Sequence, residues 1–356
     1  MDSNIEEVFI LLSKLEMIDD SIRVKYEFIL KEDKGFSISK IDITTTKGIC
    51  LISIENKDSS SGNEIVVHSG IVNLYNNKVA RDNLSQRFRS NETIFECINV
   101  DNIEGNIDSP ISLILLRLLR IVKNELVQEF SVNKINYVSP LRAHPKRYYM
   151  LDKAKVTYSL DTLDGDAIAE VLVDKKDVIN YVNSWFDKFH LKIDVKVLRE
   201  VIHNLNVTQN NLTLNIADVG FGISQVLPVI VQGFLSMPES ITIVEQPEIH
   251  LHPQMQADLG DLFLDIVFPE KETNPIKKMI IETHSEYLLR RIRRRISEGR
   301  IKSDQVSICV FHSRTEDEDA WVEELKIGEK GDFEWPKEFY GDEIYRDTIE
   351  FLKNQK

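Results

Sequence analysis

The sequence has few cysteines and no long hydrophobic run. Its 356 residues include three cysteines, Cys50, Cys97 and Cys309, which lie far apart and in no paired spacing. This distribution is typical of reduced thiols and argues against a disulfide framework or a zinc site. No apolar stretch approaches the roughly 20 residues that a membrane-spanning helix needs, and the acidic start MDSNIEEVFILL is unlike a secretory signal peptide. We therefore expect a cytoplasmic chain with no membrane contact.

Positive charge is also scarce. The sequence has 44 Lys and Arg against 58 Asp and Glu, a formal net charge of -14. Because nucleic-acid binding needs clustered positive charge, this balance argues against a nucleic-acid coat over the whole surface, but not against one local basic face. The hydrophobic fraction of 42% and the charged fraction of 29% are typical of a globular protein with a sizeable core.

Residues 1–110 are predicted to form an antiparallel β-rich lobe. Residues 21–30, 36–45 and 48–55 each partly alternate apolar with polar side chains, and short polar or glycine-containing breaks separate them. Such alternation is typical of antiparallel strands with one solvated face. Residues 111–212 are predicted to be a helical and connecting region, with a helix over 111–130, a strand over 135–138 and a helical pattern from Asp174 to about Asn206.

Residues 213–356 are predicted to form an α/β part. Continuous apolar strands over 241–244, 279–281 and 306–311 alternate with helical patterns over 254–267 and 285–296. Strands that are apolar on both faces and alternate with helices indicate a parallel sheet covered on both sides.

The segment ITIVEQPEIHLHP, residues 241–253, places a carboxylate at the end of an apolar strand. Glu245 stands at the carboxyl end of this strand, where ligands collect in open parallel sheets. Phosphate-cleaving ATPases present a Mg²⁺ ligand in this way, and Mg²⁺ takes oxygen ligands, usually with one or two protein carboxylates. The alternative is that Glu245 only ends a buried strand.

Two further segments strengthen the first interpretation. MIIETHSEYLL, residues 279–289, is a second apolar strand with His284 at its tip, from where an imidazole can reach a phosphate. In ADVGFGISQVLPVIVQ, residues 217–232, Gly220 and Gly222 precede Ser224 and an apolar helix. A glycine-rich turn at a helix amino terminus exposes N–H groups that attract phosphate, although the same glycines also serve simply to start a helix.

Together these segments resemble the ABC-type ATPase heads of the SMC, RecF and OLD kind. More closely, they resemble bacterial AAA family ATPases whose Walker B segment reads EQPE-hydrophobic-HLHP. The runs PLRAHPKRYY, residues 140–149, and GDFEWPKEFYGD, residues 331–342, fit that family too. The resemblance covers about residue 136 to the end. It implies an α/β, ABC-ATPase-head-like P-loop NTPase fold, with a parallel sheet, flanking helices and an amino-terminal antiparallel β lobe, and it implies ATP and Mg²⁺ as cofactors.

The resemblance also implies roles for individual residues. Glu245 matches the Walker B Mg²⁺ ligand and His284 the switch histidine. Gln246 stands where such heads usually carry the catalytic carboxylate, so Glu248 is a candidate substitute. Residues 218–225 take the place of the signature segment, which contacts the phosphate of a partner head. The candidates there are Gly220, Gly222, Ser224 and Gln225.

The Walker A loop of the family is missing from the sequence. No G-x-x-x-x-G-K-[ST] string occurs, and the dipeptide Gly-Lys is absent. This loop supplies the N–H cradle and the lysine that hold the phosphates. Three explanations stay open: about 40 residues, the usual size of a strand, P-loop and helix, precede the sequence in the full protein; a separate chain supplies them; or the head no longer hydrolyses ATP. The coherence of the other motifs favours a truncated or split enzyme.

A basic helix and a histidine pair each allow two interpretations. The helix after His284 bears five arginines beside an apolar stripe, and we expect them to point largely outward: Arg290, Arg291, Arg293, Arg294 and Arg295. They are either a nucleic-acid contact or a solvated face that pairs with acids such as Glu286 and Glu298. His250 and His252 suggest a metal site, but structural use in the turn is favoured.

Two functions are consistent with these observations. The first is an ATPase head that acts in DNA repair or anti-phage defence, binds Mg·ATP between two heads of a homodimer or hetero-assembly, and controls an effector such as a nuclease. The second is a non-hydrolysing scaffold, or pseudo-ATPase, that keeps the head fold.

Overall fold

The computed structural model describes residues 22–31, 35–59, 62–70, 110–130, 134–150, 160, 165, 167–199, 202–269, 274–314, 319–335 and 341–355. The chain divides into two compact units, Met1–Ser131 and Val132–Lys356. The predicted division at residues 110 and 212 stays a prediction.

The first unit contains a four-stranded antiparallel sheet in the order β1-β2-β3-β4. Its strands are β1 (Ile22–Lys31), β2 (Gly35–Thr45), β3 (Cys50–Ser59) and β4 (Gly62–His68). In β2 the buried side chains recur at alternate positions, because successive side chains of a strand point to opposite faces. Ile41 and Ile43 are fully buried there, as are Leu51 and Ile52 in β3. The predicted antiparallel strands are therefore confirmed.

The same unit contains helix α1 (Pro110–Glu129), which confirms the helix predicted over residues 111–130. Leucines spaced three and four residues apart form its buried side, the spacing of one face of an α-helix. Leu115, Leu118 and Leu119 are fully buried, and Val122 is 5% exposed.

The second unit is built around a parallel sheet in the order β11-β10-β5. The strands are β5 (Ile135–Val138), β10 (Ile241–Glu245) and β11 (Lys278–Glu282). The central strand β10 buries Thr242 and Val244. One expectation was wrong: β11 is not covered on both faces, since Ile280 is 57% exposed. This strand is at the edge of the three-stranded sheet, so fewer neighbours shield it.

Helices pack around this sheet and form one hydrophobic core with it. They are α2 (Ala167–Asp174), α3 (Lys176–Asp187), α4 (Phe221–Leu235), α5 (Pro253–Val267) and α6 (Glu286–Ser297). Helix α4 is the most deeply buried of them, with Val226, Val229, Ile230 and Val231 all fully buried. A helix that is largely apolar all round needs cover on every side, which the sheet and the other helices supply.

An antiparallel sheet replaces part of the predicted helical region. Of the pattern from Asp174 to Asn206, Asp174 ends α2 and residues 176–187 form α3, and β7 (Leu191–Arg199) and β8 (Ile202–Gln209) follow. The run LKIDV alternates buried and exposed side chains, and its β-branched residues favour a strand. The helical prediction is wrong after Asp187, because the side chains there alternate with a period of two residues, which suits a strand and not a helix. The small strands β6 (Tyr149–Met150) and β9 (Leu212–Asn215) pair with β8.

The carboxyl-terminal part of the second unit contains a hairpin and a helix. Strands β12 (Ile308–His312) and β13 (Trp321–Leu325) pair antiparallel, and helix α7 spans Gly341–Asn354. Among the residues that the structure describes, no helix has the length and apolar character needed to cross a lipid bilayer.

Candidate functional site

Two carboxylates stand side by side where β10 and β11 end. Glu245, the last residue of β10, is paired in register with Glu282, the last residue of β11. Both strands run parallel, so their carboxyl ends lie at the same edge of the sheet. Glu245 is half-buried and the Glu282 side chain is 54% exposed. This edge therefore concentrates negative charge.

Tyr137 on the neighbouring strand β5 interacts with the Glu245 side chain. Burial, hydrogen bonding to Glu245 and the charge of Glu245 together raise the pKa of Tyr137 above its usual value. A phenol with a raised pKa keeps its proton at neutral pH, so Tyr137 can donate to the carboxylate.

The turn after β10 has an unusual backbone. Gln246 adopts a left-handed conformation with φ of 44°, and His250 does the same with φ of 62°. For a residue other than glycine, this conformation costs of order 1–3 kcal/mol and persists only where the surroundings enforce it. Here the N–H of Gln246 donates to the Glu282 carbonyl at 2.9 Å, and the buried Arg142 donates to the Gln246 carbonyl at 3.2 Å.

Glu248 connects this turn to the end of β11. Its Oε1 accepts a hydrogen bond from the main-chain N–H of His284 at 2.7 Å. The His284 side chain is 64% exposed, and its Nε2 lies 4.0 Å from Glu282 Oε1. Glu245, Gln246, Glu248 and His284 are thus brought to one place, as the sequence interpretation required. The contact of Glu248 suits a positioning role, and its catalytic assignment stays a prediction.

The segment after His284 is anchored to helix α5. Ser285 caps α6 by accepting from the Leu288 N–H at 3.3 Å, and its hydroxyl donates to Gln256 Oε1 at 2.7 Å. Gln256 in turn donates to the Leu251 carbonyl at 3.0 Å. Main-chain and side-chain hydrogen bonds therefore hold both sides of the candidate site.

The glycine turn before α4 packs against the turn after β10. A Cβ on Gly222 would lie 2.7 Å from the His250 carbonyl oxygen, closer than real contacts allow, whereas a Cβ on Gly220 would meet nothing within 4 Å. Gly222 is therefore required for the close approach of the two turns. Ser224 and Gln225 are buried in α4, and the Ser224 hydroxyl donates to the Phe221 carbonyl at 2.8 Å. The predicted contact of Ser224 and Gln225 with a phosphate stays a prediction.

The two histidines of the HLHP segment have local roles. His252 caps helix α5, because its Nδ1 accepts from the Gln254 N–H at 3.3 Å. The His250 ring packs edge-on against Phe221 at 5.4 Å. Within the described parts of the chain, no group of three or more His, Cys, Asp or Glu side chains is arranged to hold a metal ion. These contacts agree with the structural use that the sequence favoured.

The five arginines of α6 have three kinds of surroundings. Arg290 and Arg294 point outward, with side chains 66% and 63% exposed, and pair with Glu286 and Glu298 one helical turn away. The expectation that all five point outward is wrong for Arg291 and Arg295, because carboxylates of the neighbouring helix α5 draw them inward.

Arg293 contacts the carboxyl-terminal Trp-Pro segment. Its guanidinium lies over the rings of Phe333 and Trp335, 4.9 and 5.5 Å from their centroids, and its Nε donates to the Gly331 carbonyl at 3.0 Å. The pattern of the α6 arginines therefore matches the alternative of local pairing, and nucleic-acid binding stays a prediction.

Sequence reasoning missed three residues of the site: Tyr137, Arg142 and Glu282. Arg142 lies in PLRAHP, a run that the sequence interpretation used only as a mark of resemblance. The sequence signal for Arg142 was its place four residues after a short apolar strand, which brings it to the same sheet edge as Glu245.

Comparison with known proteins identifies the family of this chain. Residues 6–289, well over half of the chain, match the AAA ATPase domain family, and the chain belongs to that family. Proteins of this family are ATPases that generally use ATP and Mg²⁺. The mixed α/β unit with its parallel sheet fits a P-loop NTPase-like fold. No curated protein matches the chain.

Proposed function

We propose that the chain is the nucleotide-binding head of an ABC-type AAA family ATPase and that Glu245 binds the Mg²⁺ of Mg·ATP. One observation supports this most directly. Glu245 ends a central parallel strand, and a hydrogen bond from the main-chain N–H of His284, just after the next strand, to the Glu248 carboxylate ties the adjacent turn to that strand. This is the arrangement expected of a Walker B carboxylate beside a switch histidine.

The oxygen atoms at the sheet edge suit Mg²⁺. The ion prefers oxygen ligands, usually takes only one or two protein carboxylates and completes its shell with water and phosphate. Glu245 offers such a carboxylate, and the Tyr137 hydroxyl can donate to it. When bound, the ion neutralises negative charge on the phosphates. The exposed His284 ring is then free to donate a hydrogen bond to a phosphate oxygen.

Gln246 favours a second candidate, a non-hydrolysing scaffold. An amide orients water but does not accept its proton, and Glu248 already accepts the His284 N–H through Oε1. The sequence also contains no Walker A string. Both features support binding without fast hydrolysis in this chain alone.

The wider role follows from the family resemblance. We propose that two heads, of one kind or of two, close on Mg·ATP, and that closure controls an effector such as a nuclease in DNA repair or anti-phage defence. Residues 218–225 then face the partner head. An experiment that measures the mass of the protein by light scattering, with and without Mg·ATP, tests this: a nucleotide-dependent dimer supports it, and an unchanged monomer contradicts it.

Nucleic-acid contact is a separate part of the proposal. It now rests on Arg290 and Arg294, whose exposed ion pairs are weak enough to be exchanged for phosphates. Binding of a DNA duplex should weaken steeply with salt and weaken further in the double variant Arg290→Gln, Arg294→Gln. Absence of binding at low salt would exclude this face as a nucleic-acid contact.

Calorimetric titration with Mg·ATP tests the main proposal. We expect micromolar binding by the natural sequence and binding at least about tenfold weaker, equivalent to 1.4 kcal/mol, in Glu245→Gln. The matched control is Glu329→Gln, which removes the same charge from an exposed turn and should bind normally. Equal binding by all three proteins would exclude Glu245 as the ligand of the ion. No binding up to millimolar ATP would mean that this chain alone is a fragment, one half of a split enzyme or a scaffold.

A further inference from the structure

We propose that Glu282 is the catalytic proton acceptor of this site and that Gln246 orients the attacking water beside it. The two side chains would together replace the single carboxylate that ABC-type heads usually carry directly after the Walker B ligand. This inference rests on the proposed function, because it requires Mg·ATP to bind at Glu245.

The structure brings Gln246 and Glu282 together from the ends of two neighbouring strands. The main-chain N–H of Gln246 donates to the Glu282 carbonyl at 2.9 Å, and the side-chain Nε2 donates to Glu282 Oε1 at 3.5 Å. Gln246 has the left-handed backbone conformation, with φ of 44°, and the main-chain hydrogen bond helps to enforce it. The amide and the carboxylate therefore lie side by side, next to Glu245.

Glu282 also has the exposure and the neighbours that a proton acceptor needs. Its side chain is 54% exposed, so water reaches the carboxylate. His284 Nε2 lies 4.0 Å from Glu282 Oε1, and Glu245 is the residue paired with Glu282 on the next strand. A water molecule beside a phosphate that His284 contacts would therefore be within reach of this carboxylate.

Glu248 is less suited to the same step. A general base must come within hydrogen-bond reach of the water whose proton it takes. Glu248 Oε1 already accepts the His284 N–H at 2.7 Å, and Oε2 is closed to solvent. Of the two glutamates, Glu282 is thus the one whose carboxylate meets the solvent at the strand ends.

The proposed step is hydrolysis of the terminal phosphate of ATP. The water oxygen forms a bond to the γ-phosphorus, while the bond from this phosphorus to the β–γ bridging oxygen breaks and its electron pair leaves with ADP. The proton that the water loses passes to the Glu282 carboxylate, which then releases it to solvent. Gln246 takes no proton, because an amide orients water but does not act as a base.

Single-turnover hydrolysis of labelled Mg·ATP with the protein in excess tests this assignment. Glu282→Gln should slow phosphate release at least about 100-fold, because a general base typically contributes about 10²–10⁴-fold. The same variant should bind Mg·ATP at least as tightly as the natural sequence in calorimetry, since it removes negative charge beside the phosphates and no ligand of the ion. Glu245→Gln should instead weaken binding, so the two carboxylates are separated by binding as well as by turnover.

Exchange of the two side chains gives a matched variant. Gln246→Glu combined with Glu282→Gln keeps one amide beside one carboxylate, and it should hydrolyse ATP at least about tenfold faster than Glu282→Gln alone, a difference of about 1.4 kcal/mol in the barrier. The exposed control Glu329→Gln should hydrolyse ATP at the natural rate.

Urea denaturation of nucleotide-free protein tests the contact without any turnover. Gln246→Glu alone adds a third carboxylate at this sheet edge, so repulsion should lower the urea midpoint. Adding Glu282→Gln should restore the midpoint. An unchanged midpoint in Gln246→Glu would show that the two side chains do not lie in contact.

Three results would overturn the assignment of Glu282 and leave ATP binding at Glu245 intact. They are hydrolysis at the natural rate in Glu282→Gln, loss of hydrolysis in Glu248→Gln but not in Glu282→Gln, and binding by the natural sequence without any hydrolysis. Equal weakening of binding in Glu282→Gln and Glu245→Gln would make Glu282 a ligand of the ion and not a base. No binding by the natural sequence would defeat the proposed function of this chain, and the hydrolytic role of Glu282 with it.

Discussion

Two groups of acidic side chains in the second unit differ in how their charge is balanced. On α5, Asp261 is 6% exposed and accepts hydrogen bonds from Arg295 Nε at 2.6 Å and Nη2 at 2.8 Å, and from Arg291. At the sheet edge, Glu245 and Glu282 lie side by side, and the buried Arg142 directs its hydrogen bonds to carbonyl oxygens instead of to their carboxylates.

The difference indicates which group is structural and which is functional. Carboxylates that arginines already neutralise have little affinity for a further cation. Here their ion pairs hold helix α5 against helix α6. Adjacent carboxylates without such neutralisation repel each other, which destabilises the fold unless a cation binds. We therefore propose that the α5–α6 network serves stability and that the sheet edge serves ligand binding.

The largest expected effect is the loss of the buried network. Asp261→Asn leaves two arginines, Arg291 and Arg295, partly buried without their main carboxylate, and it should cost about 3–5 kcal/mol of unfolding free energy. Urea denaturation measures this. Asp265→Asn is the matched control, because that side chain is 49% exposed and pairs only at the surface with Arg300, so its cost should stay below about 1 kcal/mol. Similar losses of unfolding free energy in both variants would contradict the difference between buried and exposed ion pairs.

Acid should weaken the same network. Burial raises the pKa of Asp261, but hydrogen bonds from Arg295 and Arg291 outweigh burial and hold the pKa below its usual value. Its contribution to stability is therefore complete above the unfolded-state pKa and is lost as the pH falls through the lower folded-state value. The natural sequence and Asp261→Asn should converge in stability at low pH, and a constant difference between them down to pH 2 would contradict this.

Lys277 is a buried cation whose partners are carbonyl oxygens. Its Nζ donates to the carbonyls of Gly233 and Phe234 at 3.0 and 3.3 Å, and burial lowers its pKa to about 8. The unfolded chain therefore binds more protons between pH 8 and 10.5, so stability should rise with pH in that window. Relative to Lys277→Met, the natural sequence should gain about 3 kcal/mol, measured by urea denaturation at each pH. A stability difference between the two proteins that does not change with pH would show that burial does not lower the pKa of Lys277.

The two glycines before α4 offer a matched pair at the site itself. Gly222→Ala places a Cβ 2.7 Å from the His250 carbonyl and should cost about 1–3 kcal/mol through forced movement of the turn. Gly220→Ala meets nothing within 4 Å and should be nearly neutral. Thermal unfolding compares the two variants. Equal effects would show that the turns do not pack as described.

The smallest expected effect belongs to the exposed ion pairs of α6. Arg290→Gln breaks a pair between residues one helical turn apart and should change stability by only about 0.3–0.5 kcal/mol. A loss as large as that of Asp261→Asn, in the same urea experiment, would mean that outward-facing and inward-facing arginines of this helix do not differ.

The sequence predicted the positions of the strand ends better than the packing around them. An apolar strand that ends in Glu245 and another that ends just before His284 leave few arrangements in a parallel sheet, and the structure has both strands side by side, while the chemistry of these residues stays a prediction. Arg142 and Tyr137 were not predicted because their roles depend on contacts between β5 and β10, more than 100 residues apart. The residues after Asp187 were misassigned because short amphipathic strands and helices share composition, and tertiary pairing decides between them.

The measurement that tests the account most directly is the unfolding free energy with and without Mg·ATP. A ligand that binds only the folded state stabilises it by about 2.7 kcal/mol at 100 times its dissociation constant. We expect that gain in the natural sequence and in Asp265→Asn, and a much smaller gain in Glu245→Gln. Equal stabilisation of Glu245→Gln, or no stabilisation of any protein at millimolar Mg·ATP, would contradict the assignment of the sheet edge as the nucleotide site.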